Sequence, residues 1–271
     1  MKRSFFAAPY ALWSLMFTVV PLIMVVYYAF TSKDGSASVE GFIRFWDPVY
    51  RGVLWHSLVM AFLSTLICLV IGYPAAYFLA SKDFARGSTL LVLFIVPMWM
   101  NFLLRTYAWM TLLEDTGLIN RVLIALGFPR ARLMYTEGAV LMGMVGNFLP
   151  FMVLPIHSVL KKIDPRVIEA AEDLGADGVR VMLRVIVPLS IPGVISGITM
   201  VFMPAVTTFV ISRLLGGGQF MLFGDLIEQQ FLVAGNWQFG STLSLIMMAL
   251  IILSMAVMKL ADPEGEGGGV W

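Results

Sequence analysis

Between Asp164 and Pro188 the sequence gathers ionisable side chains that are scarce elsewhere. Asp164, Glu169, Glu172, Asp173 and Asp177 stand there with Arg166, Arg180 and Arg184. Their spacing suits recognition rather than bond-making, because no nucleophile is paired with a general base. Asp164-Pro165 reads as an N-cap followed by proline at the first helical position, a strong helix start. Val167, Ile168, Ala171 and Leu174 then share one helical face, and Arg166, Glu169, Glu172 and Asp173 lie around the other. Gly175 is a natural C-cap, and Asp177 can cap a second helix. In that helix Val179, Met182, Leu183 and Ile186 form one stripe, while Arg180 and Arg184, four apart, form another. Val185 and Pro188 close the stretch and lead into an apolar run. The expectation is two short amphipathic helices joined by a sharp glycine turn, with the small pair Ala170-Ala171 letting another surface come close. A helix pair lying on lipid headgroups would also be amphipathic. It would not carry more acids than bases on its first helix, since anionic lipids repel them. A docking element for a soluble partner fits better.

The rest of the chain offers no catalytic constellation. His56 and His157 stand alone near the ends of apolar runs, without carboxylate neighbours, and make no metal site. Cys68 is the single cysteine, so no disulfide framework exists. Gly216 to Gly218 are not followed by the Lys-Ser/Thr pair of a phosphate-binding loop. Catalytic residues, metal ligands and a cofactor are therefore not expected in this chain.

The elements that must position the polar segment are greasy. The 271 residues are 59% hydrophobic and 13% charged, with a mean hydropathy of +0.88, which places the chain among membrane proteins. A net charge of +1 gives no reason to expect nucleic acid. A spanning helix needs roughly 20 apolar residues, and six stretches reach that scale: about 10–30, 54–80, 88–113 (charge-free to 104, then past Arg105), 138–160, 185–212 and 239–258. The first is too long an apolar run for a cleaved signal peptide and reads as a retained span. Residues 1–260 form one transmembrane domain, and the Gly- and acid-rich tail 261–271 is expected to be flexible. Lys2, Arg3 and the five basic residues from Lys161 to Arg184 put the N-terminus, the polar segment and the C-terminus on the cytoplasmic side. The polar segment, 161–188, then lies between the fourth and fifth spans.

Glu169-Ala170-Ala171, Gly175 after three more residues, and Val185-x-Val187-Pro188 after nine more resemble the E-A-A-x3-G-x9-I-x-L-P loop of ABC importer permeases. Two positions depart from that pattern, each by a conservative valine. RFWDPVY (44–50), residues 57–80, PMWMNFLLRTYAW (97–109), LPFMVLPIHSVLKKID (149–164) and residues 209–231 are similar to the first permease subunit of spermidine/putrescine importers. The resemblance implies an all-α type I ABC importer permease in the bacterial cytoplasmic (inner) membrane. It also implies a heterodimer with a second permease, two copies of an ATP-binding subunit that hold ATP and Mg, and an extracytoplasmic substrate-binding protein. The polar segment would be the coupling-helix pair, with Asp164, Glu169, Ala170, Ala171, Gly175, Asp177, Val185 and Pro188 coupling the ATPase to transport. In some relatives the position of Arg213 is acidic, and a base near the outer mouth does not favour a polycationic cargo. The same general fold serves sulfate, molybdate, iron and sugars.

A polyamine carries ammonium groups on a methylene chain and calls for carboxylates, carbonyls and aromatic faces. The spans hold no carboxylate, so the cargo candidates are Trp99, Asn101, Tyr107 and Asn147 on the third and fourth spans, with Glu114, Asp115, Asp225 and Glu228 near the outer ends. Each also has a plainer use: membrane-belt or helix packing for the aromatics, solvated loop charge for the acids. Arg105, a charge at the edge of a span, would either ligate an anion or tie helices together through backbone carbonyls. An ion-gradient-driven secondary transporter would place ionisable groups at mid-membrane, and the carboxylate-free spans argue against it.

Overall fold

The computed structural model describes residues 9–261 except 11, 81–91 and 93. Lys2, Arg3, Lys82, Arg86, part of the expected third span and the tail from 262 onward lie outside them. The described chain is helical, with one isolated bridge between Thr31 and Ala37. Without water in the bilayer core each spanning segment must satisfy its own backbone, which is why apolar length becomes helix here.

Five described helices are long and apolar enough to cross a membrane: α1 (Leu12–Ala29), α3 (Pro48–Ala80), α6 (Glu137–Leu160), α8 (Gly178–Thr207) and α11 (Trp237–Ala261). Shorter helices join them: α2 (Glu40–Phe45), α4 (Phe102–Leu113), α5 (Leu118–Ala125), α7 (Pro165–Asp173), α9 (Val210–Gly216) and α10 (Phe223–Glu228).

Helices α3, α6 and α8 form the centre. Cys68, Met144, Met152, Val153, Ile156 and Val201 are completely buried there. Lipid supplies no hydrophobic drive between apolar helices, so close approach by small residues must hold them. Gly193 and Gly197 of α8 provide it. A Cβ on Gly193 would sit 3.0 Å from the Pro155 carbonyl oxygen, and one on Gly197 2.7 Å from Met152 Sδ. Near the start of α3, His56 lies 3.9 Å from Glu137 at the start of α6. Tyr73, late in α3, meets Ser190, early in α8, at 2.8 Å. So α3 and α6 run parallel and α8 runs against them, which gathers the ends of α3 and α6, all of α7 and the start of α8 at one end of the bundle. Helix α1 rests mainly on α11, and among its described residues only Ala29 is buried.

Three boundaries differ from the sequence expectation. The third span is not one helix across 88–113: a tight turn at Val96–Trp99 ends in extended Met100 (ψ 146°), and α4 restarts at Phe102. Pro97 cannot continue a helical ladder, and Asn101 opens a new one by accepting the Leu103 N–H at 2.8 Å. Helix α3 begins at Pro48 rather than 54, because Asp47 Oδ1 takes the Val49 N–H at 2.9 Å. The fifth span runs from Gly178 to Thr207 rather than over 185–212. Past Thr207 the backbone of Gly224 lies so near that a Cβ there would be 2.6 Å and 2.8 Å from the Thr207 and Thr208 carbonyl oxygens. Helix α10 thus occupies the space of a further turn.

Candidate functional site

The polar segment sits at the gathered ends of α3, α6 and α8. Asp164 Oδ1 accepts the Arg166 N–H at 3.0 Å and Pro165 begins α7. The helix ends with Gly175 at φ +82°, its N–H on the Glu172 carbonyl at 2.8 Å and the Ala176 N–H on the Ala171 carbonyl at 3.1 Å. That paired pattern is a Schellman close, and a residue with a side chain is strained at such a φ. No atom lies within 4 Å of where a Gly175 Cβ would stand, so backbone conformation alone asks for glycine. Asp177 then accepts the Arg180 N–H at 2.8 Å and opens the next helix.

Two features of this segment depart from the sequence expectation. The apolar face of α7 is split: Ile168 and Ala171 pack on the core, but Val167 is exposed and Leu174 is 90% exposed. Val179 and Leu183 are exposed as well, while Val181 and Ile186 are buried. The expected second short helix is also not separate, since the chain is helical without interruption from Gly178 through Pro188 to Thr207. Both follow from packing, because the underside of the pair needs only a few small apolar groups to seat on the bundle. What remains outside is an apolar edge of Val167, Leu174, Val179 and Leu183, bordered by exposed Glu169, Glu172 and Asp173. Among the described residues these three acids have no ion pair, whereas Asp177 and Arg180 approach to 3.8 Å. Ala170 and Pro188 are exposed and Val185 is half-buried.

The cargo candidates stand in different settings. Trp99 is 82% exposed, Asn101 is spent as the cap of α4, and Tyr107 is exposed. Asn147 is fully buried in α6, with Nδ2 donating to the Gly143 carbonyl at 2.9 Å and Oδ1 without a hydrogen-bond partner among the described residues. Arg105 is half-buried, and among the described residues its side chain has neither an ion pair nor a hydrogen bond to a carbonyl.

The outer acids divide into two kinds. Glu114 and Asp115 line a cavity of about 290 Å³ with Thr116, Arg132, Met134 and Tyr135. Asp225 is buried, taking the Ser212 hydroxyl at 2.5 Å and the Leu222 N–H at 2.9 Å. Burial pushes its carboxyl above the ordinary range, against the pull of those two hydrogen bonds and of Arg213. Glu228 accepts from Arg213 at 2.8 Å, so the base that weighed against a polycationic cargo already has its counter-charge. Sequence reading missed the anchor of this outer lobe, Ser57 Oγ accepting the Phe223 N–H at 2.7 Å. No local signal marks a serine for a partner 166 residues away.

Residues 4–264 match the family model described as binding-protein-dependent transport system inner membrane component. The chain is 40% identical, over 266 residues, to the spermidine/putrescine transport system permease protein PotB of Escherichia coli K12; the match covers 94% of this chain and 97% of that one. PotB of Haemophilus influenzae is 39% identical over 251 residues, 89% of this chain and 88% of its own. Among solved structures, a bacterial alginate ABC transporter in complex with an alginate pentasaccharide-bound periplasmic protein gives a TM-score of 0.82 at 13% identity, covering 96% of this chain and 94% of that one. The MetNI methionine ABC transporter gives 0.57 at 19% identity, covering 77% and 92%. At such identities the likeness is one of fold, and the fold is that of a type I ABC importer permease.

Proposed function

We propose, for a chain that belongs to the family of binding-protein-dependent transport system inner membrane components, that it is a permease subunit of an ATP-driven importer of polyamines. The observation that carries the mechanism is the exposed edge of Val167, Leu174, Val179 and Leu183 beside acids that have no ion pair among the described residues, on a bundle otherwise built for lipid. Acids exclude that edge from hydrocarbon, so a soluble protein is the fitting cover. Burying each such apolar side chain is worth about 1.5–3 kcal/mol, enough for a few residues to seat an ATPase domain. The polyamine cargo is supported by similarity to two permeases named for spermidine and putrescine. The Arg213–Glu228 pair removes the electrostatic objection to it.

In this reading residues 161–188, with both chain termini, face the cytoplasm of a cell bounded by an inner membrane. A second permease completes the pathway. Two copies of an ATP-binding subunit hold ATP and Mg, and an extracytoplasmic binding protein delivers cargo to the opposite face. Closure of the ATP-binding subunits pushes on α7 and, through the unbroken helix, directly on the fifth span; hydrolysis resets it. This chain supplies no nucleotide site and contributes no bond-breaking step. Reconstituted complexes carrying Glu169→Lys with Gly175→Pro test this. The lysine inverts the charge beside the docking edge, and the proline cannot adopt φ +82° or donate to Glu172. Cargo-stimulated ATP hydrolysis and uptake should fall together; survival of both rules out the coupling role. Competition of labelled spermidine uptake by putrescine but not by sulfate is the expected cargo result.

A further inference from the structure

Where the docking segment joins the fifth span the helix is irregular. Met182–Ile186 is one wide turn in which the Val187 N–H bonds to the Met182 carbonyl, five residues back instead of four, and Pro188 follows. The same arrangement recurs in α1, where the Val20 N–H bonds to the Leu15 carbonyl and Pro21 follows. A proline has no N–H for the carbonyl four residues earlier, here that of Arg184, and its ring crowds that carbonyl. A wide turn relieves the crowding. Proline by itself does not wind one, since Pro74, Pro150, Pro155, Pro192 and Pro204 lie inside ordinary helix.

What distinguishes residues 182–186 is that the chain is held on both sides of them. Before the turn Val181 is buried, and α7 packs back against the turn itself. After it Ile186 is buried, and the Ser190 hydroxyl is fixed between the Val187 carbonyl, at 2.9 Å, and Tyr73 of α3, at 2.8 Å. A wide turn is one extra residue accommodated in a helix. Two packed segments are therefore out of step by one residue, and the turn absorbs the difference.

We propose that this wide turn, kept open by Pro188, is the joint that sets the direction in which the docking edge faces relative to residues 187–207 of the fifth span. The proposal rests on the docking reading above and deepens it. If the turn became regular helix, everything before it would rotate by about 100° and move by about 1.5 Å relative to residues 187–207 of α8. That rotation carries Val181 out of the core and swings Val179 away from the partner it faces. Pro188 is then a positioning residue: it is exposed and acts through the phase of the helix that precedes it.

The test uses the full complex, freed of other cysteines by changes that include Cys68→Ala. Two quantities are read: maleimide labelling of Val181→Cys, and cargo-stimulated ATP hydrolysis. With Pro188 present the cysteine is protected. Pro188→Ala should raise its labelling at least fivefold and lower stimulated hydrolysis at least tenfold. Deleting Arg184, an exposed residue of the turn outside the docking edge, from the Pro188→Ala chain gives a regular helix with the original phase, and both quantities should return to within twofold of the parent. A Pro188→Ala chain that loses the ATPase on purification, and regains it on deletion of Arg184, gives the same answer. The proposal is overturned if Pro188→Ala changes neither quantity, if labelling rises without loss of hydrolysis, or if the deletion restores nothing. Failure of the docking reading itself is separate: Glu169→Lys with Gly175→Pro would then leave stimulated hydrolysis intact in the Pro188 parent.

Discussion

Ser212 and Asp225 meet at 2.5 Å inside the outer lobe, the hydroxyl donating to a carboxylate oxygen that also takes the N–H of Leu222. The two residues fasten α9 to α10 where the chain turns back after the fifth span. With Ser57 holding the Phe223 N–H, the lobe is bolted both to itself and to α3.

Loss of that bolt should loosen the lobe. Asp225→Ala leaves the Leu222 N–H without its acceptor, at a cost of about 1–3 kcal/mol, and the Ser212 hydroxyl with only the Phe209 carbonyl at 2.9 Å. A lower melting temperature in detergent, with faster proteolysis between residues 209 and 236, is the expected outcome.

Burial raises the Asp225 carboxyl above its ordinary value of 3.8, so the folded protein holds that proton more tightly than the unfolded chain. The stabilising share of this group is complete below pH 4 or so and is lost as pH rises through the raised value. Asp225→Asn has no such proton. The melting-temperature difference, parent minus variant, should therefore shrink as pH is raised from about 4 to 7; a constant difference contradicts the assignment.

Arg213 and Glu228 form a 2.8 Å pair, with the glutamate the less exposed partner. Exchanging the charges, Arg213→Glu with Glu228→Arg, should retain most uptake. Arg213→Ala alone leaves Glu228 uncompensated and should cost about 1 kcal/mol. It should not raise spermidine uptake, because the arginine charge is already offset.

Leu174 is 90% exposed and touches little of its own chain. Leu174→Asp should leave the melting temperature of the isolated permease pair nearly unchanged, within about 0.5 kcal/mol. Retention of the ATP-binding subunit on purification should fall at least tenfold, which separates a docking residue from a folding residue.

Gly193→Ala tests the centre of the bundle. The new methyl would stand 3.0 Å from the Pro155 backbone oxygen and 3.1 Å from Ile156 Cα, atoms that cannot turn aside. Separation of α6 and α8 should lower stability by about 1–3 kcal/mol, and detergent melting of the complex checks it.

Much of this molecule is written in short-range signals. Apolar runs long enough to cross lipid become helix because the bilayer offers the backbone no other partner. The caps at Asp164 and Asp177 and the turn at Gly175 depend on atoms within one turn of the residues themselves. The break at Asn101 and the early start at Asp47-Pro48 were written in the same way, but apolar continuity conceals the first and Arg51 the second. Tertiary structure alone decides which apolar residues of the docking segment turn inward. Helical periodicity groups Val167 with Ile168, yet only the bundle beneath selects Ile168 for burial. It likewise decides that Ser57 serves Phe223, that Glu228 answers Arg213, and that one residue too many is stored at Met182–Ile186. Each of these depends on where sequence-distant helices come to rest against one another, and no local pattern of residues carries that distance.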